Sequence, residues 1–363
     1  MTKMIKLSLA AAVAVSAFAT TATAGSLENA IKDTTISGKF MVGYNYADNK
    51  LADTTSNTNE YDIDVTVTTK VNDVISATFG VEADHDLATS DVTTDAGKGN
   101  EIGITKLYFT AKTDVATVMV GKQKQPTPFL DDERGDGVVA LIPAGPVTIA
   151  AGTFTGMNGQ AGVTSDINAL AVIGSAGPVN ASLWFLDIPN VADAYSLNLT
   201  ANAGPVALNF THSDADYDVL LNKQDASLTK LVASMTVADV NLVAGYGMTN
   251  DNKNGRGFGV DLTTDDDAAT NFRLDQLVLD DYNDADALLL GASMTFGATT
   301  VGAQYLMVDV GSDTDATELD LTVKYAMSKN FSITGLYSDA EIEAGSTKVY
   351  DEARMELSLN YKF

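Results

Sequence analysis

The sequence predicts an all-β fold, a transmembrane antiparallel β-barrel of 18 strands with 16 as the alternative count, on three observations. Segments of about ten residues alternate apolar and polar side chains. Their connections rotate between short turns and long loops rich in Asp, Asn, Thr and Gly. Beyond the first 24 residues, no apolar run approaches the roughly 20 residues that a membrane helix needs. A barrel leaves no such run, because lipid-facing and lumen-facing residues alternate along every strand.

The first 24 residues read as a secretory signal. Lys3 and Lys6 form a basic start, Leu7 to Phe18 an apolar stretch, and Ala22-Thr23-Ala24 a small-residue cleavage site. The barrel domain is then expected to span 25–363. Its alternating segments fall at about 35–46, 60–70, 74–84, 101–112, 115–122 and 137–143, then 146–154, 166–174, 179–187, 194–202, 205–213 and 227–237, then 240–248, 285–296, 299–308, 317–326, 331–341 and 350–363. Short turns such as Val71-Asn72-Asp73, Ala238-Asp239 and Gly297-Ala298 join them at one rim. Long loops at 47–59, 85–100, 123–136, 155–165, 188–193, 214–226, 249–284, 309–316 and 342–349 lie at the other. A soluble β-sandwich has no reason to sort its connections in this way.

Ala-Gly-Pro-Val recurs at 144–147, 176–179 and 203–206, each time ahead of an alternating strand. The recurrence is turn chemistry: Gly supplies an unusual backbone angle, and Pro stands where no ladder donor is required. The first strand sets Ile36, Phe40, Val42, Tyr44 and Tyr46 on one face and Ser37, Lys39 and Asn45 on the other. In the last strand Met355, Leu357, Leu359, Tyr361 and Phe363 oppose Arg354, Glu356, Ser358, Asn360 and Lys362. Tyr361 and the final Phe363 have the form of an outer-membrane assembly signal and are placed in an aromatic girdle.

The formal charge is −26 and there is no cysteine. Acidity of this degree argues against nucleic acid as a partner and suits a cell-surface protein, or one whose interior concentrates cations. Without thiols there is neither a disulfide framework nor thiolate chemistry. His85 and His212 are the only histidines, and neither lies in a nucleophile or metalloprotease motif, so an enzyme is not expected.

Two stretches carry a family resemblance. One is Ser-Leu-Glu-Asn-Ala-Ile-Lys-Asp at 26–33 with Ile-Ser-Gly at 36–38. The other is Val-Ala-Thr-Val-Met-Val-Gly-Lys-Gln at 115–123, followed by Thr127-Pro128-Phe129 and Asp131-Asp132-Glu133-Arg134-Gly135-Asp136-Gly137. They resemble the major outer-membrane porins of Campylobacter and its relatives. The resemblance implies an 18-stranded homotrimer in a Gram-negative outer membrane, with the third outer loop, here 123–136, folded into the lumen. The expected function is passive diffusion of ions and small hydrophilic solutes through a water-filled channel with a modest cation preference. A substrate-specific channel and a surface adhesin or structural barrel are the alternatives.

The candidate pore constriction is Lys122, Lys124, Asp131, Asp132, Glu133, Arg134 and Asp136, whose opposed charges would set a transverse field. Alternation assigns Lys39, Asp62, Asp64, Glu82, Lys106, Asp320, Lys324, Glu352, Arg354 and Glu356 to the inner wall. No cofactor is expected, although the acidic loop 249–284 offers carboxylates to which Ca²⁺ can bind weakly. That loop otherwise reads as a solvated surface segment.

Overall fold

The computed structural model describes residues 33–88, 102–130, 133–158, 166–217, 225–250, 260, 262, 268–311 and 313–363. The leader proposed at 1–24, together with Asp131 and Asp132, lies outside these residues. Eighteen strands form one sheet: β1 (Thr34–Asn49), β2 (Thr54–Lys70), β3 (Ile75–Ala88), β4 (Gly103–Lys112), β5 (Thr117–Lys124), β6 (Arg134–Ala144), β7 (Val147–Asn158), β8 (Asp166–Ala176), β9 (Val179–Ile188), β10 (Ala192–Ala203), β11 (Val206–Tyr217), β12 (Ala226–Val237), β13 (Val240–Thr249), β14 (Ala285–Phe296), β15 (Thr299–Val310), β16 (Thr314–Ala326), β17 (Phe331–Ala344) and β18 (Thr347–Lys362). Each strand pairs antiparallel with its sequence neighbours, and β1 also pairs with β18, so the sheet closes on itself. Closure leaves no edge strand, and every ladder bond is made within the protein, as hydrocarbon requires.

The turns follow from their residues. In the three Ala-Gly-Pro-Val repeats, Ala144 pairs with Val147, Ala176 with Val179 and Ala203 with Val206. Each is a two-residue hairpin whose Gly145, Gly177 or Gly204 has φ of 60–66°. Val237 likewise pairs with Val240 around Ala238 and Asp239, both at positive φ, the combination that suits hairpin twist.

Several strands run further than the alternation predicts. β1 and β2 are joined by residues 50–53 alone, not by 47–59, and β5 and β6 by residues 125–133, not 123–136. The reason is physical: beyond the lipid a ladder needs only its hydrogen bonds, so Thr54 to Asn59 pair without an apolar face. Residues 257–264 of the long connection between β13 and β14, where a further strand segment could be expected from sequence, lie almost wholly outside the described residues.

Alternation sorts the two surfaces. Ile36, Phe40, Val42 and Tyr44 of β1, Leu319, Leu321 and Val323 of β16, and Met355, Leu357 and Leu359 of β18 are exposed on the outer face. This apolar band faces lipid. At the seam Phe40, Tyr361 and Phe363 stack with centroids 5.4–6.3 Å apart. Gly38 and Phe363 exchange two backbone hydrogen bonds of 3.0 and 3.1 Å.

The buried apolar cluster lies inside the barrel, on its inner wall from β6 to β17. Small residues predominate there, including Ala169, Ala194, Ala215, Ala226, Ala287, Ala316 and Ala340. They leave space that two inward-folded loops fill.

Candidate functional site

The first loop joins β5 to β6. The Gln125 N–H donates to the Glu133 carbonyl at 2.9 Å, closing its neck, and Phe129 and Leu130 are fully buried. The second joins β13 to β14. Its Phe272, Leu274, Leu277 and Leu279 pack into the same cluster. The two loops meet: the Thr270 N–H donates to the Pro128 carbonyl at 3.3 Å, and the Leu262 N–H to the Phe129 carbonyl at 3.1 Å. β13 stands eight strands beyond β5 around an 18-stranded wall, so these bonds bridge the lumen.

The second loop is fixed at both ends. Near β12 and β13, Lys230 donates to the carbonyls of Ala269 and Asn271 at 2.8 and 2.5 Å. The Phe272 ring lies over Gly245 and Gly247, where a Cβ would approach the ring to 2.9 and 2.8 Å. Near β16 to β18, the N–H groups of Gln276 and Leu277 donate to the Glu318 carboxylate at 2.8 and 2.7 Å. The Gln276 amide donates to Ser338 Oγ at 2.7 Å and accepts from the Tyr350 hydroxyl at 2.9 Å. The loop read from sequence as a solvated surface segment is therefore, over its described part, an internal bridge. Its apolar residues Phe272, Leu274, Leu277 and Leu279 were the signal for this, because a solvated acidic loop has no use for four large hydrophobic side chains.

With the apolar side occupied, the polar inner wall from β18 through β1 to β4 faces the remaining passage. The structure brings eight predicted wall residues to this wall, with Arg134. Lys39 on β1 pairs with Asp62 on β2. Lys106 on β4 lies 3.0 Å from Asp64 and donates to Thr66 Oγ1 at 2.9 Å. Arg134 at the start of β6 reaches Glu82 on β3 at 2.8 Å. On β18, Arg354 binds Glu352 at 2.7 Å and lies 3.9 Å from Asp275 of the second loop. Glu356 shares the face of Glu352 and Arg354, opposite the exposed Met355 and Leu357. Glu60, absent from the predicted set, accepts a hydrogen bond from the inward Asn45 at 3.2 Å. Asp320 and Lys324 share the inner face of β16, opposite Leu319, Leu321, Val323 and Tyr325, and Asp320 is buried.

The predicted constriction set is not one cluster. Lys122 and Lys124 belong to β5, where Lys122 pairs in register with Asp136 on one side and with the exposed Leu107 on the other. Directly paired residues share a face, so Lys122 and Asp136 stand on the side of Leu107, away from Gln123 and the buried Val139. Lys124 pairs with Arg134 at the mouth of the first loop, and Glu133 lies at its neck. Arg134 reaches past β4 and β5 to Glu82 on β3. The sequence reading sets both lysines at the edge of the loop 123–136; β5 runs on through Lys124, so both are ladder residues.

No described group of three or more His, Asp or Glu side chains has metal-binding proximity. In the acidic second loop the Asp280 carboxylate accepts the Val260 N–H at 2.9 Å, and Asp275 faces Arg354. His212 shares a 2.8 Å hydrogen bond with the Thr229 hydroxyl and lies against Tyr195 on the outer face. The side chain of His85 lies outside the described set.

Comparison with known proteins agrees with this architecture. The barrel resembles OccAB4 of Acinetobacter baumannii, with a TM-score of 0.75 and 13% identity over 91% of this chain and 98% of that one. It resembles OccAB1 of the same organism with a TM-score of 0.74 and 13% identity, over 94% and 98% of the two chains. It also resembles OccK2 (OpdF) of Pseudomonas aeruginosa in complex with glucuronate, with a TM-score of 0.71 and 14% identity over 92% and 99%. Comparison with curated protein sequences gives no match. The description "Gram-negative porin" fits the chain over residues 9–345. A closed 18-stranded barrel with an internal polar passage and this match make the chain a member of the Gram-negative porin family, an outer-membrane channel that passes small solutes passively.

Proposed function

We propose that this porin is a general-diffusion channel with a modest preference for cations, whose passage runs between the internal bridge and the charged wall of β18 and β1 to β4. One observation carries the preference. Among the described residues of that sector, Glu60, Asp62, Asp64, Glu82, Asp275, Glu352 and Glu356 face Lys39, Lys106, Arg134 and Arg354. Each of these four bases has a carboxylate partner, and acid is in surplus among these eleven residues. A surplus of fixed negative charge concentrates cations in a narrow aqueous path. Reconstitution in a planar bilayer under a salt gradient tests the reading. The reversal potential should lie on the cation side; one on the anion side refutes the preference.

The OccK2 structure was solved with glucuronate, which raises the reading of a carboxylate-specific channel. Compensation of each base by a neighbouring acid favours general diffusion, since a carboxylate solute would have to displace an acid already in place. Saturable block of the current by glucuronate would reverse this choice. The homotrimer, the kinship with Campylobacter-type porins, export through residues 1–24 and the assembly role of Tyr361 and Phe363 belong to the same proposal. They are supported by the sequence patterns that suggested them. Weak Ca²⁺ binding by the acidic residues of loop 249–284 stands on the same footing.

A further inference from the structure

We propose that Glu318 is a positioning residue that latches the second loop into the lumen and so sets the width of the passage. The inference rests on the channel reading above.

Glu318 is completely buried on the inner face of β16. Its Oε1 accepts the Gln276 N–H at 2.8 Å and the Ser338 hydroxyl at 2.8 Å, and its Oε2 accepts the Leu277 N–H at 2.7 Å. Two consecutive peptide donors on one carboxylate form a charge-assisted fork, stronger and more directional than neutral hydrogen bonds.

The receiving segment is shaped for this fork. Arg273 and Val278 form a β-bridge, and the Leu274 N–H donates to the Leu277 carbonyl at 3.1 Å. Residues 274–277 are thus a tight turn with its tip toward β16 to β18. The Gln276 side chain completes the contact through Ser338 and Tyr350. The other end of the loop is held by apolar packing over Gly245 and Gly247 and by Lys230 at the Ala269 and Asn271 carbonyls, contacts that anchor its base and do not reach the tip. The carboxylate fork is directional and grips the tip itself, so Glu318 decides where the tip stands.

A wall charge that attracts cations must touch water. Glu318 is inaccessible, so its function is mechanical and its loss should alter pore width while the wall acids keep the preference on the cation side. The two roles separate experimentally. Single-channel conductance, neutral-polymer size exclusion and salt-gradient reversal potential would be measured for the full chain and for Glu318→Ala, Glu318→Gln and Ser338→Ala.

Glu318→Ala should lose the single wild-type level to a larger, noisier one and admit polymers that the wild type excludes. Glu318→Gln retains one acceptor oxygen and should fall between the two. The reversal potential should stay on the cation side in all variants, because Asp62, Asp64, Glu82 and Glu352 on the wall are left in place. Heat-modifiable gel mobility reports folding, and Ser338→Ala keeps the test open should Glu318→Ala not fold, because it removes one bond from the latch and should give a small shift in the same direction. Wild-type conductance and size exclusion in the folded Glu318 variants, or in Ser338→Ala where those do not fold, would overturn the latch while leaving the channel reading intact. Absence of conductance from the wild type would instead overturn the channel reading.

Discussion

Gly247 shows how one missing side chain admits a loop to the lumen. It stands on the inner face of β13, between Lys230 on β12 and Ala287 on β14. A Cβ there would lie 2.7 Å from Leu279 Cδ2 and 2.8 Å from Phe272 Cδ1. Both neighbours are buried side chains in the apolar cluster, so neither can turn aside freely. Gly247→Val should therefore lift the loop from its seat, at the roughly 1–3 kcal/mol typical of overpacking. The strand itself suits valine, so the barrel should still form. Tryptic cleavage within 268–284 of the folded, detergent-solubilised protein is the measurement, and cleavage as slow as in wild type would contradict the prediction. Lys50 has a smaller effect, at the long-loop rim beside β17 and β18. It joins the β1–β2 tip to Asp339 and Asp351 at 2.7 and 3.1 Å, and those acids hold its ammonium charged well above the ordinary range. It is largely solvated, and such pairs contribute under about 1 kcal/mol.

Among elements, the second loop carries a titrating group, Asp275, at its docked tip. Burial raises the Asp275 carboxyl above its ordinary value; nearby Arg354 opposes the shift and Glu318 adds to it. A raised value in the docked state means that docking and protonation favour each other. The Asp275 contribution is thus fully present below the ordinary carboxylate range and is lost as pH rises through the raised value. Mild acidification should hold the loop more firmly and reduce current noise. Asp275→Asn, uncharged at every pH, should lose this component. Noise spectra of the two proteins compared between neutral and mildly acidic pH would decide, and identical pH dependence would exclude Asp275 as the source. The strands themselves are indifferent to this switch, because their ladders are complete whichever way the loop stands.

At the scale of the whole molecule, the barrel is divided into a filled side and an open side. Alanine-rich inner faces from β6 to β17 hold the apolar bridge, and paired charges line the remainder. Ion selectivity is then a property of the open side as a unit. The combined variant Asp62→Asn, Asp64→Asn, Glu82→Gln removes the partners of Lys39, Lys106 and Arg134 while keeping side-chain size. Its reversal potential should move toward anions relative to the wild type. An unmoved potential would place the selectivity outside this wall.

The barrel was legible in the sequence because period-two alternation is local: Ile36 to Tyr46 and Met355 to Phe363 declare their outward faces without reference to any distant residue. The three Gly-Pro turns were legible for the same reason, and so was the inward side of Lys39, Asp62, Asp64, Glu82 and Lys106. What alternation does not encode is partnership between elements that are not ladder neighbours. Arg134 meets Glu82 three strands away, Gln276 meets Glu318 from loop to wall, and Thr270 meets Pro128 across the lumen. Loop residues have no period from which to infer a face, so the acidic segment 249–284 resembled solvated surface until closure gave its four large apolar side chains an interior to enter. By itself, then, the sequence determined the wall and its two faces, since strand period and turn chemistry are short-range. Only the tertiary structure decided which loops enter and what width of passage they leave, because those contacts join residues that lie far apart in the chain.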